Sequence, residues 1–207
     1  MRLIGMLDSP YVRRVAVSLD VLGVPFTHES VSVFSTFEKF RSINPVVKAP
    51  SLVCDDGEVL MDSSLILQFV EASLSGGRTL WSSDKAQLQR DFRAVSLALA
   101  AGDKSVQIVY ERKLRPAEAQ YAPWIARVTE QVHAAFDALE QEVQRRPSTF
   151  EGPLNQAAIT TAIVWQFTQA MLADVVPAES CPGLVALSAR LEATEPFLKY
   201  LPDGPGV

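Results

Sequence analysis

The spacing of apolar positions changes several times along the first 75 residues. Leu3-Ile4-Gly5-Met6-Leu7 is a continuous apolar run and predicts a strand within residues 1–7. Val12, Val15, Ala16, Leu19 and Leu22 then recur at helical spacing, which predicts a helix over 11–23 that Gly23-Val24-Pro25 stops. Phe26–Val33 alternates and predicts a second strand, so the strand–helix–strand order favours a parallel pair with a right-handed crossover. Residues 36–43 fit a short, irregular helix. Ser51-Leu52-Val53-Cys54 and Glu58-Val59-Leu60-Met61 flank Asp55-Asp56-Gly57, the pattern of a tight hairpin. Ser63–Leu74 closes this region as a helix with Leu65, Ile66, Phe69, Val70 and Leu74 on one side.

Beyond residue 75 the alternating pattern disappears. Ser75-Gly76-Gly77-Arg78 and Ser82-Ser83-Asp84 read as a linker. Residues 85–114 and 117–146 read as two long helices. The first has a core stripe of Phe92, Val95, Leu99, Val106 and Val109, and the second one of Trp124, Val128, Val132, Phe136, Leu139 and Val143. Ala157–Ala173 is apolar on nearly all sides and predicts a buried helix. Shorter helices are expected at 183–192 and 194–200, before a loose tail from Pro202 to Val207. The predicted organisation is an α/β domain over 1–75, a linker over 76–84 and an all-helical domain over 85–207. Ligand sites in such chains favour the cleft between domains.

At 207 residues and 48% hydrophobic content the chain has enough apolar surface for a substantial core. A net charge of −5 supplies no general field for nucleic acid or an anionic membrane, so neither partner is expected. No apolar run reaches the length of a membrane span. The N-terminus runs straight into a strand-like segment without a cleavable-signal pattern. Cys54 and Cys181 are far apart and outside any Cys-x-x-Cys spacing, so a reducing, cytoplasmic setting is the simplest expectation. Two histidines outside any metal-like cluster lead us to expect no metal.

Candidate chemistry begins at Ser9-Pro10-Tyr11-Val12. This corner between a strand and a helix resembles a dithiol redox motif whose two cysteine positions hold Ser9 and Val12. A hydroxyl at a helix N-terminus cannot form a disulfide, but it can hydrogen-bond an anion. Two readings stay open: Ser9 helps bind and polarise another molecule's thiolate, or it only caps the helix with Pro10 in the first position. Pro50 lies between a polar loop and a strand, as either an ordinary proline at a strand start or a cis proline that turns nearby backbone groups outward. Asp62 and Ser63 stand at a strand-to-helix junction, where they can cap the helix, form an anion site, or do both.

Together, Ser9-Pro10-Tyr11-Val12-Arg13-Arg14, Asn44-Pro45-Val46-Val47-Lys48-Ala49-Pro50 and Asp62-Ser63-Ser64 resemble the cytosolic glutathione transferase family, especially bacterial members with a serine-type corner. The resemblance runs along the whole chain and implies a thioredoxin-like domain followed by a helical bundle. It implies that glutathione is the co-substrate and that a small hydrophobic electrophile is the second partner. Ser9 would donate its hydroxyl to the glutathione sulfur. Ala49, before a cis Pro50, would pair its backbone with the cysteinyl part as an added strand. Ser63 would take the γ-glutamyl carboxylate, and Asp62 would face the α-amino group. Ser35 and Lys48 (or Lys39) are the candidates at the glycine end, because Val47 has no polar side chain there. Arg13 would either aid the thiolate or serve as a solvated or domain-bridging arginine. Tyr110 and Trp165 are candidates to face the electrophile, with a core role the alternative for Trp165. Asn155 can cap the buried helix, but Ala158 lacks the reciprocal side chain of a capping box. The resemblance further implies a homodimer and a detoxifying transferase. The alternatives are a non-catalytic binding or regulatory protein and a glutathione-dependent peroxidase or isomerase on the same site.

Overall fold

In the computed structural model, which describes residues 1–202, Leu3 and Ile4 are fully buried and anchor the first strand, β1 (Arg2–Ile4). Helix α1 (Pro10–Val21) follows, then β2 (Thr27–Glu29), which pairs parallel with β1 in the register Leu3 to His28. After α2 (Phe37–Ile43), strands β3 (Ser51–Val53) and β4 (Val59–Met61) form the hairpin across Asp55-Asp56-Gly57. β3 lies antiparallel to β1, so the sheet order is β2-β1-β3-β4, and α3 (Ser63–Ser73) follows β4. This is a thioredoxin-like arrangement.

The first two strands are shorter than the apolar pattern suggests. Gly5 has φ of +138°, which leaves the extended region after Ile4. Past Glu29 the backbone finds side-chain partners in place of a ladder. The Ser32 hydroxyl accepts the N–H groups of Phe34 and Ser35, and the Ser32 N–H reaches Thr36 Oγ1 at 2.8 Å. On α3 the buried apolar residues are Ile66, Leu67 and Val70, whereas Leu65, Phe69 and Leu74 are exposed. The single stripe predicted there is thus split between an inner and an outer face.

The helical unit contains α4 (Lys85–Leu114), α5 (Ala122–Arg145), α6 (Gln156–Leu172) and α7 (Pro182–Glu192). Twelve of the 17 residues of α6 are buried, which fits its apolar character on all sides. Asn155 Oδ1 accepts the Ala158 N–H at 2.9 Å, and its amide donates to Thr149 O at 3.0 Å. The cap is therefore braced by the preceding turn, not by a reciprocal bond from Ala158. α4 buries small residues (Ala94, Ala98, Ala101, Gly102 and Ser105), and Ser105 shares a buried 3.0 Å hydrogen bond with Thr168 of α6. Phe92, predicted on the core stripe, lies outside this small-residue face and stacks on Trp81 with centroids 4.3 Å apart. Trp124 is likewise exposed.

Contacts divide the chain into Met1–Leu80 together with the segment from Thr194, and Trp81–Ala193. The division falls inside the expected linker. The last helix, α8 (Glu195–Lys199), nevertheless belongs to the sheet unit. The cause is Arg13, buried on α1, whose Nε donates to Tyr200 O at 2.8 Å and whose Nη2 donates to Phe197 O at 3.4 Å. Its guanidinium also lies 5.5 Å from the centre of the Phe197 ring. Tyr200 stacks on Phe26 and donates to Asp20, which also pairs with Lys199. Arg13 is thus buried, not solvated, and it ties α8 to α1. Of the predicted loose tail, residues 203–207 lie outside the described residues. No helix among the described residues is long and apolar enough to cross a membrane.

Candidate functional site

Ser9 is half-buried at the N-cap of α1, with extended backbone (φ −69°, ψ 121°). Its Oγ accepts the Val12 N–H at 3.5 Å, the long limit of a hydrogen bond. The hydroxyl is an acceptor in this cap, so its own hydrogen remains able to donate elsewhere. Val12, at the second cysteine-like position, is fully buried. A Cβ placed on Gly5 would lie 2.6 Å from Val12 Cγ2 and 3.2 Å from the Ala49 Cβ. The absence of a side chain at Gly5 therefore lets the Ser9 corner and the Ala49 loop approach each other.

That loop is held by Asn44, which is buried. Its amide donates to Ser51 Oγ at 2.8 Å, and its Oδ1 accepts the Val46 N–H at 3.0 Å. Ser51 Oγ in turn donates to Lys48 O at 2.7 Å. Within this clamp Val47 adopts φ of +52°, a rare conformation for a β-branched residue, and the Ala49–Pro50 peptide is cis. The Val47 side chain packs against the buried cluster of Ile4, Val31 and Phe40. An apolar residue at this position thus fills core space. Ala49 is half-buried, while Lys48, Lys39 and Ser35 are exposed. Ser35 sits on the turn organised by Ser32.

The third stretch begins α3. Asp62 has φ of +73°, and its Oδ1 accepts the N–H groups of Ser64 at 2.9 Å and Leu65 at 3.2 Å. Ser63 is buried. Its Oγ and that of Ser64 accept hydrogen bonds from Arg14 Nη1 at 3.1 and 3.0 Å. Arg14 lies on α1 at 2% exposure, so it joins the Ser9 helix to the Asp62-Ser63-Ser64 junction. Burial lowers its guanidinium to about 10, against the raising influence of Asp62 and the Tyr11 phenol. Sequence reasoning passed over both Arg14 and Asn44. The available signals were an arginine inside an apolar-periodic run and an asparagine before Pro45.

The structure thus brings Val12, at the end of the Ser9 corner, and Ala49 together around Gly5, and ties Ser63 to the same helix through Arg14. Neither cysteine is an activated thiol: burial raises both Cys54 and Cys181, and neighbouring acidic residues add to this. In the helical unit Trp165 is 3% exposed and packs edge-on against Phe136, with centroids 5.4 Å apart. Its role there is core, whereas the Tyr110 ring on α4 is exposed.

Residues 3–77 match the family model for the glutathione S-transferase N-terminal domain. An uncharacterised GST-like protein of Escherichia coli K12, YibF, is 27% identical over 140 residues, which span 68% of each chain. Glutathione S-transferase U3 of Arabidopsis thaliana is 24% identical over 98% of this chain and 88% of its own. Among solved structures, a glutathione S-transferase from Methylobacterium radiotolerans in complex with glutathione sulfonate superimposes with a TM-score of 0.89 at 25% identity, covering 100% of this chain and 96% of that one. A glutathione transferase family member from Pseudomonas fluorescens Pf-5 with bound glutathione gives 0.83 at 26% identity, over 98% and 99% of the two chains. Residues 3–77 therefore match the glutathione S-transferase N-terminal domain model, and the chain as a whole has the fold of these glutathione S-transferase structures.

Proposed function

We propose that this chain binds glutathione in its N-terminal unit and transfers the glutathione thiolate to small apolar electrophiles. The observation that carries this reading is the convergence of the Ser9 corner and the Ala49–Pro50 loop around Gly5. The solved relatives that bind glutathione or its sulfonate support the same ligand class. In this reading the Ser9 hydroxyl donates to the sulfur and α1 directs its positive end toward it, so the thiolate is favoured over the thiol. Ser9 acts by electrostatic stabilisation and removes no proton itself. The backbone of Ala49 pairs with the cysteinyl unit, while Ser63 and Asp62 receive the γ-glutamyl end. Ser35 and Lys48 are exposed groups available to the glycine end. Tyr110 is the remaining candidate for contact with the electrophile. Holding the two reactants together contributes proximity. The buried Val12 and the absence of a thiol at position 9 argue against exchange through an enzyme disulfide.

The same reading includes a cytoplasmic, detoxifying homodimer. Leu65, Phe69 and Leu74 on the outer face of α3 support an apolar contact with a second copy, which sedimentation would register as a doubled mass. Calorimetric titration with glutathione, followed by turnover of a chlorodinitrobenzene, tests the function. Saturable binding with thioether formation is expected. Binding without turnover would favour a non-catalytic binding protein. No binding at millimolar glutathione would remove the proposed ligand altogether.

A further inference from the structure

We propose that the helical unit holds a second small-molecule site, fitted to a protonated amine with an apolar body. It stands independently of the glutathione reading, because none of its residues is among those placed at glutathione or the electrophile. A cavity of about 330 Å³ lies between α5 and the turn that joins α6 to α7. This is the small end of the ~300–1,000 Å³ range of clefts that take small molecules. Phe136, Val176 and Cys181 line it and are buried, and Phe136 is itself seated against Trp165. His133, Asp137 and Ser180 line it and are exposed. Two side chains fix the turn: His133 Nε2 donates to Val175 O at 2.7 Å, and Gln169 Nε2 donates to Val176 O at 2.9 Å. A preformed wall of this kind lowers the ordering cost of binding.

The polar groups of the cavity select the ligand. The backbone donors of the turn are used: the N–H groups of Val175 and Val176 reach Leu172 O, that of Ser180 reaches Pro177 O, and that of Cys181 reaches Ala178 O. The Ser180 hydroxyl also donates to Pro177 O, at 2.7 Å. The Cys181 thiol, 3.5 Å from Ser180 Oγ, is therefore the donor in that contact. His133 Nε2 is spent on Val175 O, which leaves Nδ1 of the neutral ring as an acceptor. Asp137 completes the set, because its carboxylate has no hydrogen bond or ion pair among the described residues. Burial raises the Cys181 thiol, and the carboxylates of Glu140 and Asp137 add to this, so the buried wall lies in a negative field. Glu140 is committed to the Gly183 and Leu184 N–H groups, whereas Asp137 is open to a ligand. The cavity thus offers acceptors and one carboxylate but no free nitrogen or oxygen donor. An ammonium group, which only donates, fits the carboxylate, and a hydrocarbon body fits Phe136 and Val176. A ligand carboxylate or phosphate would meet a like charge and find no donor.

The test titrates phenethylamine, phenethyl alcohol and phenylpropionate into the full chain and follows its backbone amide NMR signals. These probes share a ring and differ in charge. The amine should give saturable shifts centred on His133, Asp137, Val176 and Ser180, with a Kd of about 1 mM. The alcohol should bind about three- to tenfold more weakly, and the acid more weakly still. Asp137→Asn should bring the amine to the affinity of the alcohol and leave the alcohol unchanged. Asp137→Lys should reverse the order of amine and acid. Both variants alter an exposed side chain, and matching amide spectra would show that the fold is kept. A general attraction of cations to a chain of net charge −5 would survive Asp137→Asn, so an amine preference unchanged in that variant overturns the site. Shifts centred on other residues, equal binding of amine and alcohol to the wild type, or no amine binding by about 10 mM would each overturn it as well.

Discussion

Replacing Gly5 with alanine tests whether the contact between the Ser9 corner and the Ala49 loop holds the N-terminal unit together. Two costs arise at once. The backbone φ of +138° lies in a region that is open almost only to glycine, and holding another residue there costs about 1–3 kcal/mol. The new Cβ would also lie 2.6 Å from Val12 Cγ2 and 3.2 Å from Ala49 Cβ. Both neighbours sit in or against the packed interior, so the overlap adds about 1–3 kcal/mol more. The sum, about 2–6 kcal/mol, is a large part of a typical domain's ~5–15 kcal/mol. Urea unfolding followed by circular dichroism would show it as a lower midpoint with an unchanged slope. Val12→Ala alone leaves a cavity and destabilises. Combined with Gly5→Ala it removes the 2.6 Å overlap, so the two losses should total less than their sum. A Gly5→Ala cost below ~1 kcal/mol, or strictly additive losses, would refute the packing argument.

Three further expectations concern groups outside the corner. Glu142 is raised by burial, but its bonds to Arg93 at 2.7 Å and Arg146 at 2.6 Å outweigh this and hold its carboxyl below the ordinary value of 4.5. Because the folded value is the lower one, the stabilisation is complete above about 4.5 and is lost as pH falls through the folded value. Glu142→Gln should therefore melt below the wild type at pH 7, with a gap that closes in acid; a pH-independent gap in melting scans would contradict this. Glu140 is buried and accepts the Gly183 and Leu184 N–H groups at 2.8 Å each, which caps α7 from α5. Glu140→Ala should cost about 2–4 kcal/mol in denaturant unfolding by stranding those donors, and a loss under ~1 kcal/mol would show that the cap is dispensable. Arg13→Met should release α8, seen as faster amide hydrogen exchange confined to 194–200; unchanged protection there would mean that Phe26 and Asp20 suffice.

Much of this architecture was readable from periodicity. The parallel strand pair, the Asp55-Asp56-Gly57 hairpin and the buried α6 all follow from patterns that depend on neighbours in sequence. The misread features depend on neighbours in space. Phe92 has the spacing of a core residue, yet the face α4 buries is the one lined with alanines and Gly102. The fate of Arg13 depended on two carbonyls more than 180 residues away. Arg14 carries no local mark of its role, because Ser63 and Ser64 reach it only once α3 packs on α1. The backbone of the candidate site was legible where chain geometry dictates residue type, as at the Ser9-Pro10 helix start, Pro50 and the Asp62 cap. It was illegible where a buried side chain braces those residues from behind. Val47 illustrates the same limit, since its apolar side chain reads as a lost ligand contact until the cluster of Ile4, Val31 and Phe40 beneath it is seen.

The central claim is that Ser9 stabilises a bound thiolate. The most direct measurement is the ultraviolet titration of the thiol of glutathione bound to the wild type and to Ser9→Ala. A free thiol titrates near ~8.5, and a hydroxyl donor at a helix N-terminus should lower the bound value by about one unit or more. Ser9→Ala should return it toward the free value and lower kcat with a smaller effect on affinity. If the two proteins bind glutathione with the same thiol titration and the same kcat, Ser9 is only a helix cap and the claim fails.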